Sequence, residues 1–125
     1  MLNVMVVDDS TIIRKLLTRE LEKMGHTVVA QARNGKEAVD LYQKHLPDFV
    51  TMDITMPVMD GIESLKRIKR GYPDAKIIMV TSHGEELQVM TAITSGAKGY
   101  ILKPIKEDKI LEAIVKIFPD LYTAI

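Results

Sequence analysis

The sequence predicts an α/β fold: a doubly wound, five-stranded parallel sheet with helices on both faces. Short, nearly continuous apolar runs of five to seven residues recur along the chain, as expected for strands that are covered on both faces. Between them lie segments in which apolar residues recur with the period of a helix. Because parallel strands need a crossover between them, this repeated strand–helix alternation favours right-handed crossovers and a parallel sheet.

The first strand–helix pair begins at the start of the chain. The run "NVMVV", residues Asn3–Val7, has the pattern of a doubly covered strand. Ser10 or Asp9 can cap the helix that follows, and Gly25 closes it. The apolar residues predicted to share one face of this helix are Ile13, Leu16, Leu17, Leu21 and Met24.

The second and third pairs repeat the pattern. The second strand is predicted over Thr27–Ala32, and Asn34 followed by Glu37 suits a capping-box-like helix start. The inward residues of that helix are predicted to be Ala38, Leu41 and Tyr42. The third strand is predicted over Asp48–Met52, before a helix that ends near Gly71. The residues that mark this helix are Ile62, Leu65 and Ile68.

The last two pairs complete the sheet. The fourth strand is predicted over Ala75–Thr81, followed by a helix that stops at Gly96. That helix is marked by Leu87, Met90 and Ile93. The fifth strand is predicted over Gly99–Lys103. The final helix is marked by Ile110, Ala113, Ile114 and Ile117.

Composition excludes several classes of protein. Seventeen Lys plus Arg against seventeen Asp plus Glu give no net charge, so the basic footprint of a nucleic-acid binder is missing. The absence of cysteine excludes disulfides and thiolate chemistry. No apolar run approaches the roughly 18 residues of a membrane span, and the start lacks the features of a signal peptide. We therefore expect a single cytoplasmic domain, residues 1–125, without membrane insertion.

Polar residues follow four of the predicted strands. They are Asp8, Asp9, Asp53, Thr81, Ser82 and Lys103. Ligands of open doubly wound sheets bind beyond the carboxyl ends of the strands, so these side chains should converge there. Three aspartates and one lysine leave a formal charge of −2, which predicts a raised carboxylate pKa or a bound cation. Because the candidate ligands are all oxygen atoms, Mg²⁺ or Mn²⁺ is favoured over zinc.

Each of these residues also has an ordinary structural interpretation. "DDS" is a common helix cap, and Asp53 could simply begin a turn. Thr81 could be a strand residue with no further role, and Lys103 followed by Pro104 could be a helix start. These interpretations do not explain why all the groups fall at one edge of one sheet, and that coincidence predicts a functional site.

Four motifs together resemble the receiver domain of bacterial two-component response regulators. They are Asp8–Asp9, Asp53 followed by "MPVMDG", Thr81–Ser82, and "GYILKP", and they span essentially the whole chain. The resemblance implies the flavodoxin-like receiver fold and a signalling switch rather than an enzyme. With no output domain in the sequence, the chain is similar to the single-domain chemotaxis regulators that signal to the flagellar motor.

The resemblance assigns a phosphoacceptor and a metal site. Asp53 would accept a phosphoryl group from a sensor histidine kinase, forming an acyl phosphate. Asp9 would bind Mg²⁺ directly, Asp8 would bind it through water, and the backbone carbonyl of Thr55 would be a further ligand. Asp53 would complete the metal site, and Mn²⁺ would be a possible substitute. Phosphoryl transfer mainly requires positioning and charge neutralisation, which fits this set of residues.

The resemblance also assigns a switch. Thr81 and Lys103 would contact the phosphoryl oxygens, and Tyr100 would change orientation together with Thr81. The peptide bond between Lys103 and Pro104 is expected to be cis, since cis bonds are essentially restricted to X–Pro. The surface that reports the change would comprise the fourth helix, the fifth strand and the fifth helix, roughly residues 85–118.

Three positions depart from the pattern of the chemotaxis relatives. Thr55 stands where many of them have Asn, and His83 stands where a longer acid is common. In this family both positions tune the lifetime of the phosphate, so the hydrolysis rate stays open; as a loop residue, His83 has an equally ordinary interpretation. Ile13 stands where chemotaxis relatives often have Met.

The resemblance implies partners and leaves alternatives. The expected partners are a sensor histidine kinase, a phosphorylation-dependent output protein (a flagellar motor switch protein if the chain is chemotactic) and a phosphatase, with the protein itself a monomer. The alternatives are a phosphorelay intermediate or a receiver excised from a larger regulator. A haloacid-dehalogenase-type phosphatase usually carries a second acid where this chain has Thr55. An FMN carrier would need a Ser/Thr/Gly-rich loop in place of "DDSTIIRK".

Overall fold

The computed structural model describes residues 1–122 and contains one five-stranded sheet. All strand pairs are parallel, in the order β2-β1-β3-β4-β5. The strands are β1 Asn3–Val7, β2 Thr27–Ala32, β3 Phe49–Asp53, β4 Ile77–Thr81 and β5 Gly99–Leu102. The helices are α1 Thr11–Lys23, α2 Gly35–His45, α3 Gly61–Gly71, α4 Glu86–Thr94 and α5 Glu107–Ile117, followed by a 3₁₀ turn Pro119–Tyr122. The predicted fold class is confirmed, with strand bounds shifted by at most two residues.

Two apolar clusters cover the two faces of the sheet. Alternate residues of β1 point to opposite faces, so Met5 belongs to one cluster and Val4 to the other. Helices α2, α3 and α4 contribute Ala38, Leu65 and Ala92 to the first cluster. Helices α1 and α5 contribute to the second, together with Phe49 of β3. The helices therefore lie on both faces, as the nearly continuous apolar strands predicted.

Helix ends follow the local signals in the sequence. Ser10, rather than Asp9, caps α1, because its hydroxyl accepts a hydrogen bond from the backbone N–H of Ile13 at 3.3 Å. Asn34 caps α2 in the same way, with 2.9 Å to the N–H of Glu37. Asp60 caps α3, with 2.9 Å from its carboxylate to the N–H of Glu63. Because Ser10 caps α1, Asp9 is not the cap of that helix.

The apolar residues that mark helix α4 in the sequence do not pack into the core. Leu87, Met90 and Ile93 are 77%, 66% and 43% exposed, whereas the buried residue of the helix is Ala92. Helical periodicity identifies an apolar face, but it does not say whether that face packs against the sheet or faces solvent. Here it faces solvent, next to β5.

No helix in the described part of the chain is both long enough and apolar enough to span a bilayer.

Candidate functional site

Three carboxylates meet where β1 and β3 end, next to each other in the sheet. Oxygen atoms of Asp8, Asp9 and Asp53 all lie within 4.8 Å of one another. Asp53 is the last residue of β3, and both Asp53 and Asp8 are buried, while Asp9 is exposed. Asp8 directly follows β1 and Asp53 ends β3, and both strands carry buried apolar residues, so the sheet itself holds the two acids in place. The arrangement is an anionic pocket with an open side at Asp9.

Lys103 is the cation that faces this pocket. Its Nζ lies 3.3 Å from Asp53 Oδ1 and 3.3 Å from Asp8 Oδ2. The backbone N–H of Lys103 donates to the carbonyl of Thr81 at 2.7 Å, which fixes the base of the side chain against β4. The peptide bond between Lys103 and Pro104 is cis, the isomer expected from the sequence.

The electrostatics of the pocket are those of crowded carboxylates with too little positive charge. Burial, together with the charge of Asp8, raises the pKa of Asp53 from 3.8 to about 6, although Lys103 opposes the shift. Burial also raises the pKa of Asp8. Burial would lower the pKa of Lys103, but the attraction of Asp53 and Asp8 outweighs it and raises that pKa. The charge count predicted a raised carboxylate pKa; the pKa of Asp53 is raised, with burial as the largest cause and repulsion by Asp8 as the second.

The donor set fits a hard divalent cation. Asp8 Oδ1 accepts a hydrogen bond from the N–H of Ser10 at 2.9 Å, which orients the carboxylate. Asp8 Oδ2 is buried, and among the described residues its contact is the ion pair with the Lys103 ammonium at 3.3 Å. This oxygen of Asp8 lies beside the carboxylates of Asp9 and Asp53. A set of carboxylate oxygens suits Mg²⁺, which prefers oxygen ligands.

A second cluster, built on Glu85, lies beside the first. The hydroxyl of Thr81, a buried residue at the end of β4, donates to Glu85 Oε1 at 3.1 Å. The hydroxyl of Thr55 donates to Glu85 Oε2 at 2.7 Å, and the backbone N–H of Ser82 donates to Oε1 at 2.6 Å. Sequence analysis singled out Thr55 and Thr81 but missed Glu85. The available signal was an acid four residues after Thr81, in the loop before α4.

The remaining predicted residues lie along an adjacent groove. His83 and Tyr100 are exposed and line a groove of about 500 Å³ that also includes Met90, Ile93 and Leu102. Thr81 also lines this groove. Tyr100 as a whole residue is 56% exposed, which corresponds to an outward orientation of its side chain.

Comparison with known proteins places this site in a family. Residues 4–115 match the response regulator receiver domain. The chain belongs to the response regulator receiver domain family. It is 49% identical to the chemotaxis protein CheY of Bacillus subtilis (strain 168) over 113 residues, which cover 90% of this chain and 94% of that protein. It is 43% identical to CheY of Thermotoga maritima, over 91% of this chain and 95% of that protein.

A solved structure gives the same result. A chain in the crystal structure of the CheX–CheY–BeF3–Mg²⁺ complex from Borrelia burgdorferi superposes with a TM-score of 0.89 and 39% identity. The superposition covers 93% of this receiver and 88% of that chain.

The stability of this receiver should fall as pH rises when divalent cations are removed. The folded pKa of Asp53, about 6, lies above its ordinary value of 3.8. Between these two values the folded protein keeps a proton that the unfolded chain has released, so the free energy of unfolding falls through this window. Above pH 7 the loss amounts to about 3 kcal/mol, taking 1.36 kcal/mol for each pKa unit.

Asp53→Asn should remove most of this loss. In EDTA at pH 7.5 the variant should be about 1–3 kcal/mol more stable than the wild type, and the difference should shrink toward pH 4. Millimolar Mg²⁺ should stabilise the wild type more than the variant, through mass action. Urea denaturation at several pH values, with and without Mg²⁺, measures both effects.

Asp60→Asn is the control, because an amide oxygen can keep the α3 cap. If the free energy of unfolding depends on pH equally in the wild type and in Asp53→Asn, the loss of stability does not arise from Asp53.

Proposed function

We propose that this receiver is a phosphorylation-activated switch in which Asp53 accepts a phosphoryl group from a sensor histidine kinase. The observation that carries the proposal is a buried carboxylate with Lys103 at 3.3 Å and the carboxylates of Asp8 and Asp9 within 4.8 Å. A carboxylate oxygen of Asp53 attacks phosphorus, the P–N bond of the phosphohistidine breaks, and the imidazole leaves with that electron pair. With a pKa of about 6, Asp53 is mostly ionised at neutral pH and can act as the nucleophile.

The metal in this proposal is Mg²⁺, with Mn²⁺ as a possible substitute. Asp9 and Asp53 would hold it directly, Asp8 would hold it through water, and the carbonyl of Thr55 would be a further ligand. When bound, the ion neutralises charge on the carboxylates and on the incoming phosphoryl group. Support comes from the three clustered carboxylates, which share the single Lys103 ammonium, and from the similar Borrelia burgdorferi complex, which contains Mg²⁺ and BeF3.

The phosphoryl oxygens would be contacted by Lys103 and Thr81. Lys103 needs little movement, because its ammonium already faces Asp53 at 3.3 Å. Thr81 must turn its hydroxyl from Glu85 toward the new anion. Thr55 and His83 flank the site and would tune the lifetime of the acyl phosphate.

Output would be carried by the surface of α4, β5 and α5. Leu87, Met90 and Tyr100 expose large apolar area there, and such patches mark sites of protein interaction. A phosphoryl group adds negative charge and acceptor oxygens at Asp53. Thr81 and Tyr100 line the same groove, so a movement of Thr81 toward the phosphoryl group would open space into which Tyr100 could turn. The partner bound by this surface would therefore sense phosphorylation.

We place this switch in chemotaxis control of the flagellar motor, within the cytoplasm. The support is the identity of 49% and 43% to two CheY proteins, over nearly their whole lengths. The partners would be a sensor histidine kinase, a flagellar motor switch protein and a phosphatase, with the receiver acting as a monomer and a switch rather than an enzyme.

NMR shift mapping with beryllofluoride and Mg²⁺ tests the switch. We expect shifts at Asp8, Asp9 and Asp53, and also at Tyr100 and along α4, because Thr81 links the pocket to the groove. Thr81→Ala should reduce the distant shifts by more than half while the pocket shifts remain. Changes confined to the pocket in the wild type would mean that the phosphate analogue binds without switching the output surface.

A further inference from the structure

Glu85 holds together the two loops that flank Asp53. Its carboxylate accepts hydrogen bonds from Thr55 in the β3–α3 loop and from Thr81 and Ser82 at the end of β4. Thr55 and Glu85 are 30 residues apart in the chain, so this contact ties together separate segments. Glu85 is also the N-cap residue of α4, although its side chain makes no capping hydrogen bond to that helix.

The Thr81 hydroxyl has one proton to donate. In this structure two acceptors lie within reach of that proton, Glu85 Oε1 at 3.1 Å and the carbonyl oxygen of Ser82 at 3.4 Å. The shorter contact is the one to the charged carboxylate, which is also the stronger acceptor. A phosphoryl group on Asp53 would be a second anionic acceptor for the same proton. One hydroxyl cannot donate a full-strength hydrogen bond to both acceptors. Hydrogen bonds to charged acceptors are the stronger ones, so the loss of either bond is costly.

We propose that Glu85 is a positioning residue that competes with phosphorylated Asp53 for the Thr81 hydroxyl and so holds the receiver in its unphosphorylated state. The inference rests on the proposed phosphoacceptor role of Asp53. When Thr81 turns to the phosphoryl group, Glu85 loses one of its three donors, and its hold on Thr55 and Ser82 weakens. Because Glu85 starts α4, the release reaches the first turn of the helix that carries Leu87 and Met90.

A double-mutant cycle between Glu85 and Thr81 tests the competition. Affinity for beryllofluoride in Mg²⁺ is measured by isothermal titration calorimetry for wild type, Glu85→Ala, Thr81→Ala and the double variant. Glu85→Ala should tighten binding about tenfold when Thr81 is present, since it frees a donor that was held by a charged acceptor. In the Thr81→Ala background the same substitution should leave the affinity unchanged.

Two further variants sharpen the result. Glu85→Gln keeps the shape and an acceptor oxygen but loses the charge, so it should tighten binding only about threefold. It also serves if Glu85→Ala proves poorly folded. Glu86→Gln is the matched control, because Glu86 is the adjacent acid and accepts from the backbone N–H of Gly84 instead. Its affinity should equal that of the wild type.

The outcomes separate this inference from the proposed function. An equal gain from Glu85→Ala with and without Thr81 would mean simple charge repulsion and would overturn the competition. If Glu85→Ala leaves the beryllofluoride affinity unchanged or lowers it while Thr81 is present, the competition is overturned as well. In that case, binding of beryllofluoride by the wild type still supports the phosphoacceptor role. If the wild type does not bind beryllofluoride in the presence of Mg²⁺, this result contradicts the phosphoacceptor role of Asp53. The inference about Glu85, which rests on that role, is then overturned too.

Discussion

Asp53→Asn is expected to reduce phosphoryl incorporation from acetyl phosphate at least about a hundredfold, to background. The amide has no anionic oxygen that could attack phosphorus, and the neighbouring Asp8 is oriented by the N–H of Ser10 and paired with Lys103. The wild type should gain one phosphoryl group in the presence of Mg²⁺, and EDTA should prevent it. Intact-mass spectrometry, under conditions that preserve the acyl phosphate, or radiolabelling measures the phosphoryl group incorporated per protein molecule.

The matched control for this experiment is Asp60→Asn. Asp60 lies in the same loop but caps α3, and Asn is as good a cap as Asp. This variant should be labelled like the wild type, and circular dichroism should show that both variants are folded. Labelling of Asp53→Asn at the wild-type level would overturn the assignment of the phosphoacceptor.

Gly61→Ala is expected to destabilise the protein by about 3 kcal/mol or more. A Cβ atom at Gly61 would clash with the backbone carbonyl oxygen of Asp53 and would lie 3.0 Å from Met52 Cγ. The Gly61 N–H also donates to the carbonyl of Ile54 at 2.7 Å, so the start of α3 cannot move away without losing this bond. Overpacking against backbone is relieved only by shifting it, and here that backbone carries Asp53. Phosphorylation should therefore slow together with the loss of stability.

Gly71→Ala provides the control within the same helix. A Cβ atom at Gly71 would meet no atom within 4 Å, and alanine favours a helix over glycine by up to about 1 kcal/mol. This variant should be as stable as the wild type or slightly more so. Urea denaturation of both variants gives the comparison, and a Gly61→Ala variant that unfolds with the wild-type midpoint would contradict the close approach of α3 to β3.

Sequence periodicity determined the fold class and the place of the site. The change between strand and helix periods is a local property, and each nearly continuous apolar run needs cover on both faces. Parallel strands direct their carboxyl ends to one edge, so Asp8, Asp53 and Lys103 had to approach each other there. The charge count then predicted crowded carboxylates, and the raised pKa of Asp53 agrees with it. The motifs around these residues carried the family resemblance.

Tertiary structure alone decided which side chains form hydrogen bonds with each other and which apolar faces are covered. The carboxylate of Glu85 meets Thr55 only because β3 and β4 are neighbours in the sheet and their loops turn toward each other. The stripe of Leu87 and Met90 is helical by period, yet it faces solvent because α4 packs on the sheet through Ala92. Period and motif are properties of short segments, whereas burial and hydrogen bonding between loops depend on how distant segments pack.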